Sequence, residues 1–281
     1  MTPNVRRPTR KNQMLNKQTA ASATTALAIA KRNLKIATEA LKQANKLNQV
    51  KTAIISTVAH ELRTPLSAIV GFTELISLKT TDEEIRDYAN TASRGANKLS
   101  MIIDNMLDLS KIDEGRFESK IELVELKTFI ENVVALFTQV AHEKKIDLLA
   151  DVSQSISIKC NEAGLTRIAF NLVNNAIKFT TSGSVTFRCK KGNANTVVLE
   201  VEDTGIGIPS EDIPKLFDRF SDVDHQRHPQ GKGAGLGLSL VKELLTIMGG
   251  KISVDSELNR GTRVSIELPV IPPRFLSSEL H

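Results

Sequence analysis

Ser56-Thr57-Val58-Ala59-His60-Glu61-Leu62-Arg63-Thr64-Pro65-Leu66 is the stretch on which the reading of this chain turns. It sits inside a seven-residue repeat: Leu27, Leu34, Leu41, Asn48, Ile55, Leu62, Ile69 and Ile76 share one register. Offset by three run Ala30, Ala37, Ala44, Lys51, Val58, Pro65 and Phe72. A repeat held this long predicts a helix that buries its seam against another helix and propagates it as a coiled coil. With Ile55 and Leu62 on the seam, His60 falls on the far side of the helix, facing solvent, where an imidazole nitrogen is free to act as a nucleophile. Glu61 beside it is placed to accept the proton of the other ring nitrogen. Pro65 removes a backbone donor and frees the carbonyl of Glu61, so a bend is expected below the histidine. A lone histidine on such a face would be read as a solvated residue, so its neighbourhood has to decide.

Downstream, Leu78 to Asp82 break the pattern, and Thr81-Asp82-Glu83-Glu84 reads as a capping box opening a second helix. That helix repeats as well, with Ile85, Ala92, Leu99 and Met106 in one row and Tyr88, Gly95, Ile102 and Leu109 in the other. Two heptad helices joined by a short loop predict an antiparallel hairpin, and its leftover apolar surface predicts a homodimer closed as a four-helix bundle.

The whole chain has 281 residues, 41% hydrophobic and 25% charged, which is ordinary globular material for two domains. No run approaches the roughly 18 apolar residues of a membrane span. Residues 1–38 hold eight basic side chains and no acid, so the net charge of +5 leaves −3 on the remainder. The basic character therefore belongs to a tail, and no nucleic-acid partner is predicted. The tail reads as disordered or as an added segment, with an organelle transit peptide as the minor alternative. Cys160 and Cys189 lack metal-ligand spacing and read as buried thiols in a reducing cytosol.

After Lys111-Ile-Asp-Glu-Gly-Arg116 the texture changes. Alternating runs at Val185-Phe187-Cys189, Val197-Leu199-Val201, Ile252-Val254 and Val264-Ile266-Leu268 predict strands, with helical patterns near 126–143, 162–180 and 236–248 between them. In the 162–180 helix, Leu165, Ile168, Leu172, Ala176 and Phe179 are expected on the core side, and Asn171, Asn175 and Lys178 form a separate polar stripe. Amide oxygens suit a Mg²⁺ that already carries phosphate oxygens, and the ammonium supplies charge to phosphates. Asp203 ends an apolar strand face, where a carboxylate is costly without a donor, such as the exocyclic amine of adenine. Gly205 and Gly207 in Thr204-Gly-Ile-Gly-Ile-Pro209 permit close approach to a base, and Gly231-Lys-Gly233-Ala-Gly235-Leu236-Gly237 opens a helix whose amides can hold phosphates. Ser221 to Gln230 reads as a mobile lid hinged by Phe217 and Phe220, with His225 and His228 solvated rather than metal ligands.

The segment His60-Glu-Leu-Arg-Thr-Pro65 resembles the phosphoacceptor box of two-component sensor histidine kinases. Asn171-Leu-Val-Asn-Asn175-Ala-Ile-Lys178-Phe179 resembles their asparagine box, Asp203-Thr-Gly-Ile-Gly-Ile-Pro209 and Gly231–Gly237 their two glycine boxes, and Gly261-Thr262 their last one. The likeness covers roughly 48–270. It implies His60 as phosphoacceptor, Glu61 as its base and Thr64 as the residue positioning water in dephosphorylation of a partner. It further implies ATP and Mg²⁺ as cofactors, with Asn175 the metal ligand. Asn171, Lys178, Phe179, Asp203, Gly205, Gly207, Phe220, Gly233, Gly235, Leu236, Gly237 and Thr262 would be nucleotide contacts. Two departures stand out: Ala234 replaces a common hydroxyl residue, and Cys160-Asn161 stand where an acid is frequent.

The expected fold is a helical hairpin, completed as a dimeric four-helix bundle, then an α+β ATP-binding domain, an α/β sandwich with helices packed on one mixed sheet. The expected boundaries are a basic tail at 1–26, a coiled-coil signalling helix at 27–52, the phosphotransfer hairpin at 53–113, the ATP-binding domain at 118–270 and a short tail at 271–281. Alone, the ATP-binding domain would also fit chaperone-type, mismatch-repair and topoisomerase ATPases; His60 on its hairpin decides against those. The presence of every proposed catalytic residue favours an autokinase over the alternative of a nucleotide-binding scaffold, and a third reading makes regulator dephosphorylation through Thr64 and Glu61 the dominant activity. The partner expected is the receiver domain of a separate response regulator, and the location cytoplasmic, as the core of a larger or membrane-attached sensor whose input comes from elsewhere.

Overall fold

The computed structural model describes residues 10–117, 120–152, 154–193, 195–221 and 235–271. The chain divides into two units, residues 1–54 and 55–281. In the first, helix α1 (Arg10–Lys79) has already begun, so helix covers 10–26, where the basic composition predicted a disordered tail. Leu34 and Leu41 are 69% and 62% exposed there, an apolar row without cover in a single chain. The repeat positions Leu27, Ala30, Ala44, Asn48 and Lys51 have side chains outside the described residues.

In the second unit α1 continues to Lys79 and α2 (Glu83–Asp113) returns. The cap that opens α2 is Asp82, whose carboxylate accepts from the amides of Glu84 and Ile85; Thr81 does not play this part. A carboxylate at that point satisfies orphan donors and also complements the positive helix end. The two helices pack through Ala59, Leu66, Ala96 and Ile103, with Val70 and Leu107 at the margin. These are not the heptad rows read from the sequence. Leu62, Ile69, Phe72 and Ile76 of α1 stay 41–67% exposed, and Ile85, Tyr88, Leu99 and Met106 of α2 stay 39–65% exposed. Small alanines bring the two helices of one chain together, and the larger apolar rows are left over.

Beyond the hairpin follow β1 (Glu122–Glu125), α3 (Leu126–Glu143), β2 (Ile146–Asp151), β3 (Ser157–Cys160), α4 (Glu162–Phe179), β4 (Gly183–Lys191), β5 (Thr196–Asp203), α5 (Gly237–Met248), β6 (Lys251–Glu257) and β7 (Gly261–Pro269). The expected sandwich is present as a five-stranded mixed sheet in the order β2-β4-β5-β7-β6, with only β2 and β4 parallel. Strands β1, β2 and β3 carried no clear alternation in the sequence; β1 and β3 form a separate antiparallel pair. Alternation divides the two faces of the sheet. Val197, Leu199, Val201 and Asp203 of β5 are all buried, whereas Glu202 between them pairs with Arg188 and Arg263 from the neighbouring strands.

Helices α3, α4 and α5 supply Phe129, Ile130, Leu165, Ile168, Leu172, Leu240 and Leu244 to the core above Val185, Phe187 and Ile266. Each such side chain contributes about 1.5–3 kcal/mol on burial. Leu109 of α2 also lies in this core, with Ile102 and Ile112 packed against it. The row that sequence periodicity assigned to the bundle seam thus turns, at its lower end, into the floor on which the ATP-binding domain sits.

Candidate active site

Two places hold the predicted residues. On α1, His60, Glu61 and Thr64 are all solvent-exposed while Ala59 beside them is buried against α2, so the helix presents the imidazole outward as the repeat required. Arg63 on the next turn pairs with Asp104, tying this part of α1 to α2.

The second is a cavity of about 540 Å³ at the helix layer, lined among others by Asn171, Asn175, Lys178, Phe179, Asp203 and Thr262. Helix α4 delivers the first four because its apolar positions face the sheet and leave the stripe free. Its start is fixed by Asn161, whose Oδ1 accepts from Gly164 N at 2.7 Å. That contact accounts for one departure from the family pattern, since a buried neutral amide performs the capping of a carboxylate. Its end is held by Lys144, whose Nζ donates to Ile177 O at 3.0 Å; burial lowers the Lys144 ammonium below the usual lysine range. Phe179 is half-buried at the cavity wall rather than in the core, a correction to the sequence reading, and Lys178 lies 4.1 Å over its ring.

Asp203 is 8% exposed. Its Oδ1 accepts from Gly205 N at 2.8 Å and Thr262 N at 3.3 Å. Burial pushes the carboxyl up to about 6 despite both amides, because desolvation penalises the charged form. Gly205 is required by space: a Cβ there would lie 2.4 Å from Phe179 O. Gly207 is required by conformation, with φ +66°. Ser256 Oγ stands 2.8 Å from Thr262 Oγ1 and receives the Ile208 amide, closing this end of the cavity.

At the other end Gly235, Leu236 and Gly237 line the cavity where α5 begins. The cap residue Leu236 offers no side-chain acceptor to the first amides of this 12-residue helix. A Cβ on Gly237 would lie 2.5 Å from Asn171 Oδ1, so the asparagine and this glycine turn are fitted to each other. Gly233, Ala234 and the predicted lid beyond Ser221, with His225 and His228, lie outside the described residues. Phe220 is 63% exposed and absent from the cavity wall; its amide donates to Gly235 O at 3.1 Å. Among the described residues no cluster of three or more His, Cys, Asp or Glu is arranged for a metal, and no helix is long and apolar enough to cross a membrane.

Sequence reasoning missed one wall. Asn97, Lys98, Met101, Ile102 and Asn105 of α2 line the same cavity, and Arg167 Nε of α4 lies 2.7 Å from the buried Asp108 Oδ2. Burial raises the Asp108 carboxyl against the opposing pull of Arg167. The only hint was a cluster of polar residues within the apolar repeat of α2, and a hairpin read by itself offers no reason for them.

Residues 50–115 match the family described as His Kinase A (phospho-acceptor) domain, and residues 160–272 the family of histidine kinase-, DNA gyrase B- and HSP90-like ATPases. Signal transduction histidine-protein kinase BarA of Escherichia coli K12 is 35% identical over 229 residues, 79% of this chain and 25% of that protein. Sensor protein GacS of Pseudomonas syringae pv. syringae is 33% identical over 238 residues, 82% of this chain and 26% of its own length. The chain therefore spans about a quarter of these relatives. Among solved structures, full-length ShkA in complex with AMPPNP superposes with a TM-score of 0.62 at 29% identity, covering 76% of this chain and 45% of that one. Histidine kinase AdeS of Acinetobacter baumannii, at 22% identity and a TM-score of 0.54, covers 75% of this chain and 98% of its own, and shares the fold. An outward histidine on a helical hairpin, joined to an ATPase-family cavity and matched in both parts by these families, makes this chain a two-component protein histidine kinase catalytic core.

Proposed function

We propose that the chain uses ATP to phosphorylate His60 and passes the phosphoryl group to an aspartate on the receiver domain of a response regulator. The observation that carries this reading is the exposed His60 in one folded unit with a nucleotide-sized cavity walled by α4, Asp203 and the start of α5. Asp203 accepts the exocyclic amine of adenine through the oxygen that Gly205 and Thr262 leave to it, and Phe179 packs beside the base. Asn171, Lys178 and the amides of Gly235, Leu236 and Gly237 take the phosphates. Asn175 presents its amide oxygen to the magnesium ion that accompanies ATP. A set of neutral amides fits an ion that arrives already bound to triphosphate oxygens, and when bound it neutralises charge on them. Glu61 holds the proton on the far nitrogen of His60, leaving the near one free to attack in line. The AMPPNP bound to ShkA supports a nucleotide in this cavity.

The working unit we propose is a homodimer, because a second copy would cover the exposed row Leu62, Ile69, Phe72 and Ile76 with its own. Thr64, one turn from His60, orients water when the same hairpin dephosphorylates the regulator. The reaction is placed in the cytoplasm, where its ATP is drawn. The test is incubation with Mg²⁺ and γ-labelled ATP beside a His60→Gln control. Label that survives alkali, is lost in acid and is absent from the control is the expected result; label retained by the control refutes the assignment of His60.

A further inference from the structure

Three polar side chains end the helix-covered face of the sheet. Across β5, β7 and β6 the rows on that face are Leu199–Ile266–Ile252, then Val201–Val264–Val254, then Asp203–Thr262–Ser256. A period of two puts all of them on one side, so the last row carries polar groups where the first two are apolar. Asp203 and Thr262 are 8% and 9% exposed and line the cavity, whereas Ser256 stands behind Thr262 and is absent from the cavity wall. Polar groups in such a place are tolerated only with their hydrogen bonds made.

The Ser256 hydroxyl makes three contacts and has one proton. It receives the Ile208 amide at 2.7 Å, lies 3.0 Å from Gly261 O and 2.8 Å from Thr262 Oγ1. The carbonyl of Gly261 can only accept, so the serine proton goes there. The contact with Thr262 is then made by the threonine proton, donated to the remaining lone pair of Ser256. No other assignment gives all three contacts a proton. Inside the cavity Thr262 Oγ1 therefore has no proton left to offer and presents lone pairs only. Asp203 as a carboxylate does the same, with Oδ1 already engaged by the amides of Gly205 and Thr262.

Resting on the reading of Asp203 as the partner of the adenine amine, we infer that Ser256 is a positioning residue that sets base specificity. It holds the Thr262 hydroxyl as an acceptor, so that this end of the cavity selects a base with an exocyclic amine over one with an exocyclic oxygen. An amine meets these lone pairs with its N–H bonds. An oxygen in the same place would face them with no proton between, leaving buried polar groups unpaired. Ser256 touches no part of the nucleotide and acts through Thr262.

The test is calorimetric titration of the full-length chain with ADP and with inosine diphosphate (IDP), whose base carries an oxygen where adenine carries its amine. The wild type should prefer ADP by about tenfold or more. Ser256→Ala frees the threonine proton to turn into the cavity, and the ADP-to-IDP affinity ratio should fall about three- to tenfold, the range one neutral hydrogen bond allows. Ser256→Cys keeps the shape with a weak donor and acceptor and should lower the ratio as well. In a Thr262→Val background, adding Ser256→Ala should leave the ratio where Thr262→Val alone put it. Loss of affinity for both nucleotides by the same factor would make Ser256 a structural link only and overturn the inference. A ratio that falls just as far in the Thr262→Val background would overturn the route through Thr262. If the wild type binds neither nucleotide, or binds IDP as well as ADP, the reading of Asp203 fails and takes Ser256 with it. A wild-type preference for ADP that neither Ser256 variant alters sinks the assignment of Ser256 alone.

Discussion

Replacing Asp203 with Asn separates two demands made of one side chain. The carboxyl is raised from 3.8 to about 6 by burial, so the folded protein binds a proton more tightly than the unfolded chain. Below pH 3.8 both states are protonated and burial costs nothing. As pH rises from 3.8 to about 6 the unfolded chain releases its proton first and the native state loses stability, and above 6 the loss is constant. At about 1.4 kcal/mol per pH unit the full loss is roughly 3 kcal/mol. Asparagine keeps an Oδ1 for the amides of Gly205 and Thr262 and carries no charge. The nucleotide-free variant should therefore be more stable than the wild type, by about 0.5 kcal/mol at pH 4 and about 3 kcal/mol at pH 8. For an ATP-binding domain of this size that is roughly 6–12 °C in the melting transition at pH 8, followed by calorimetry. The same variant should lose nucleotide affinity at least tenfold in a titration with ADP, because with Oδ1 held by the two amides it turns its Nδ2, a donor, toward the adenine amine, itself a donor. Wild-type affinity should itself fall below pH 6. A stability difference that is flat between pH 4 and pH 8, or undiminished nucleotide binding by the variant, would refute this account of Asp203.

Gly205→Ala puts a methyl group 2.4 Å from Phe179 O, so the turn must shift; nucleotide binding should drop at least tenfold while the circular dichroism of the chain stays native. Leu109→Ala removes a side chain 4% exposed in the core beneath α4 and α5, and should cost about 2–4 kcal/mol in urea unfolding of the ATP-binding domain. An effect below about 1 kcal/mol would mean that α2 is not part of that core. Ile69→Lys places a charge in the exposed row of the hairpin and should shift the chain toward monomer in sedimentation, leaving nucleotide affinity unchanged.

Much of this protein is decided by patterns that act over a few residues. The order of elements from β4 to β7, the outward histidine, the polar stripe of α4 and the glycine turns all follow from local periodicity and from backbone needs that only particular residues meet. A period of 3.6 or 2 leaves the same mark wherever the segment lies, and Gly205 and Gly207 are required by turns a few atoms across. Tertiary structure decided the rest. Strands β1, β2 and β3 are too short or too exposed to alternate clearly, and their pairing comes from partners such as β4 far along the chain. Whether Phe179 belongs to the core or to the cavity depends on the turn after β5, whose Ile206 amide donates to Phe179 O, and no period on α4 records it. Periodicity also states that a helix has an apolar face without naming what covers it. Ala59 and Ala96 won the contact inside the hairpin because small side chains let backbones approach, leaving Leu62 and Ile69 for another surface. Leu109 kept its place in the repeat and changed its partner, and Asp108 and Asp113 became intelligible only once Arg167 and Arg219 stood opposite. An ion pair spanning 106 residues of sequence leaves no local trace, since its free energy depends on a distance that exists only after folding.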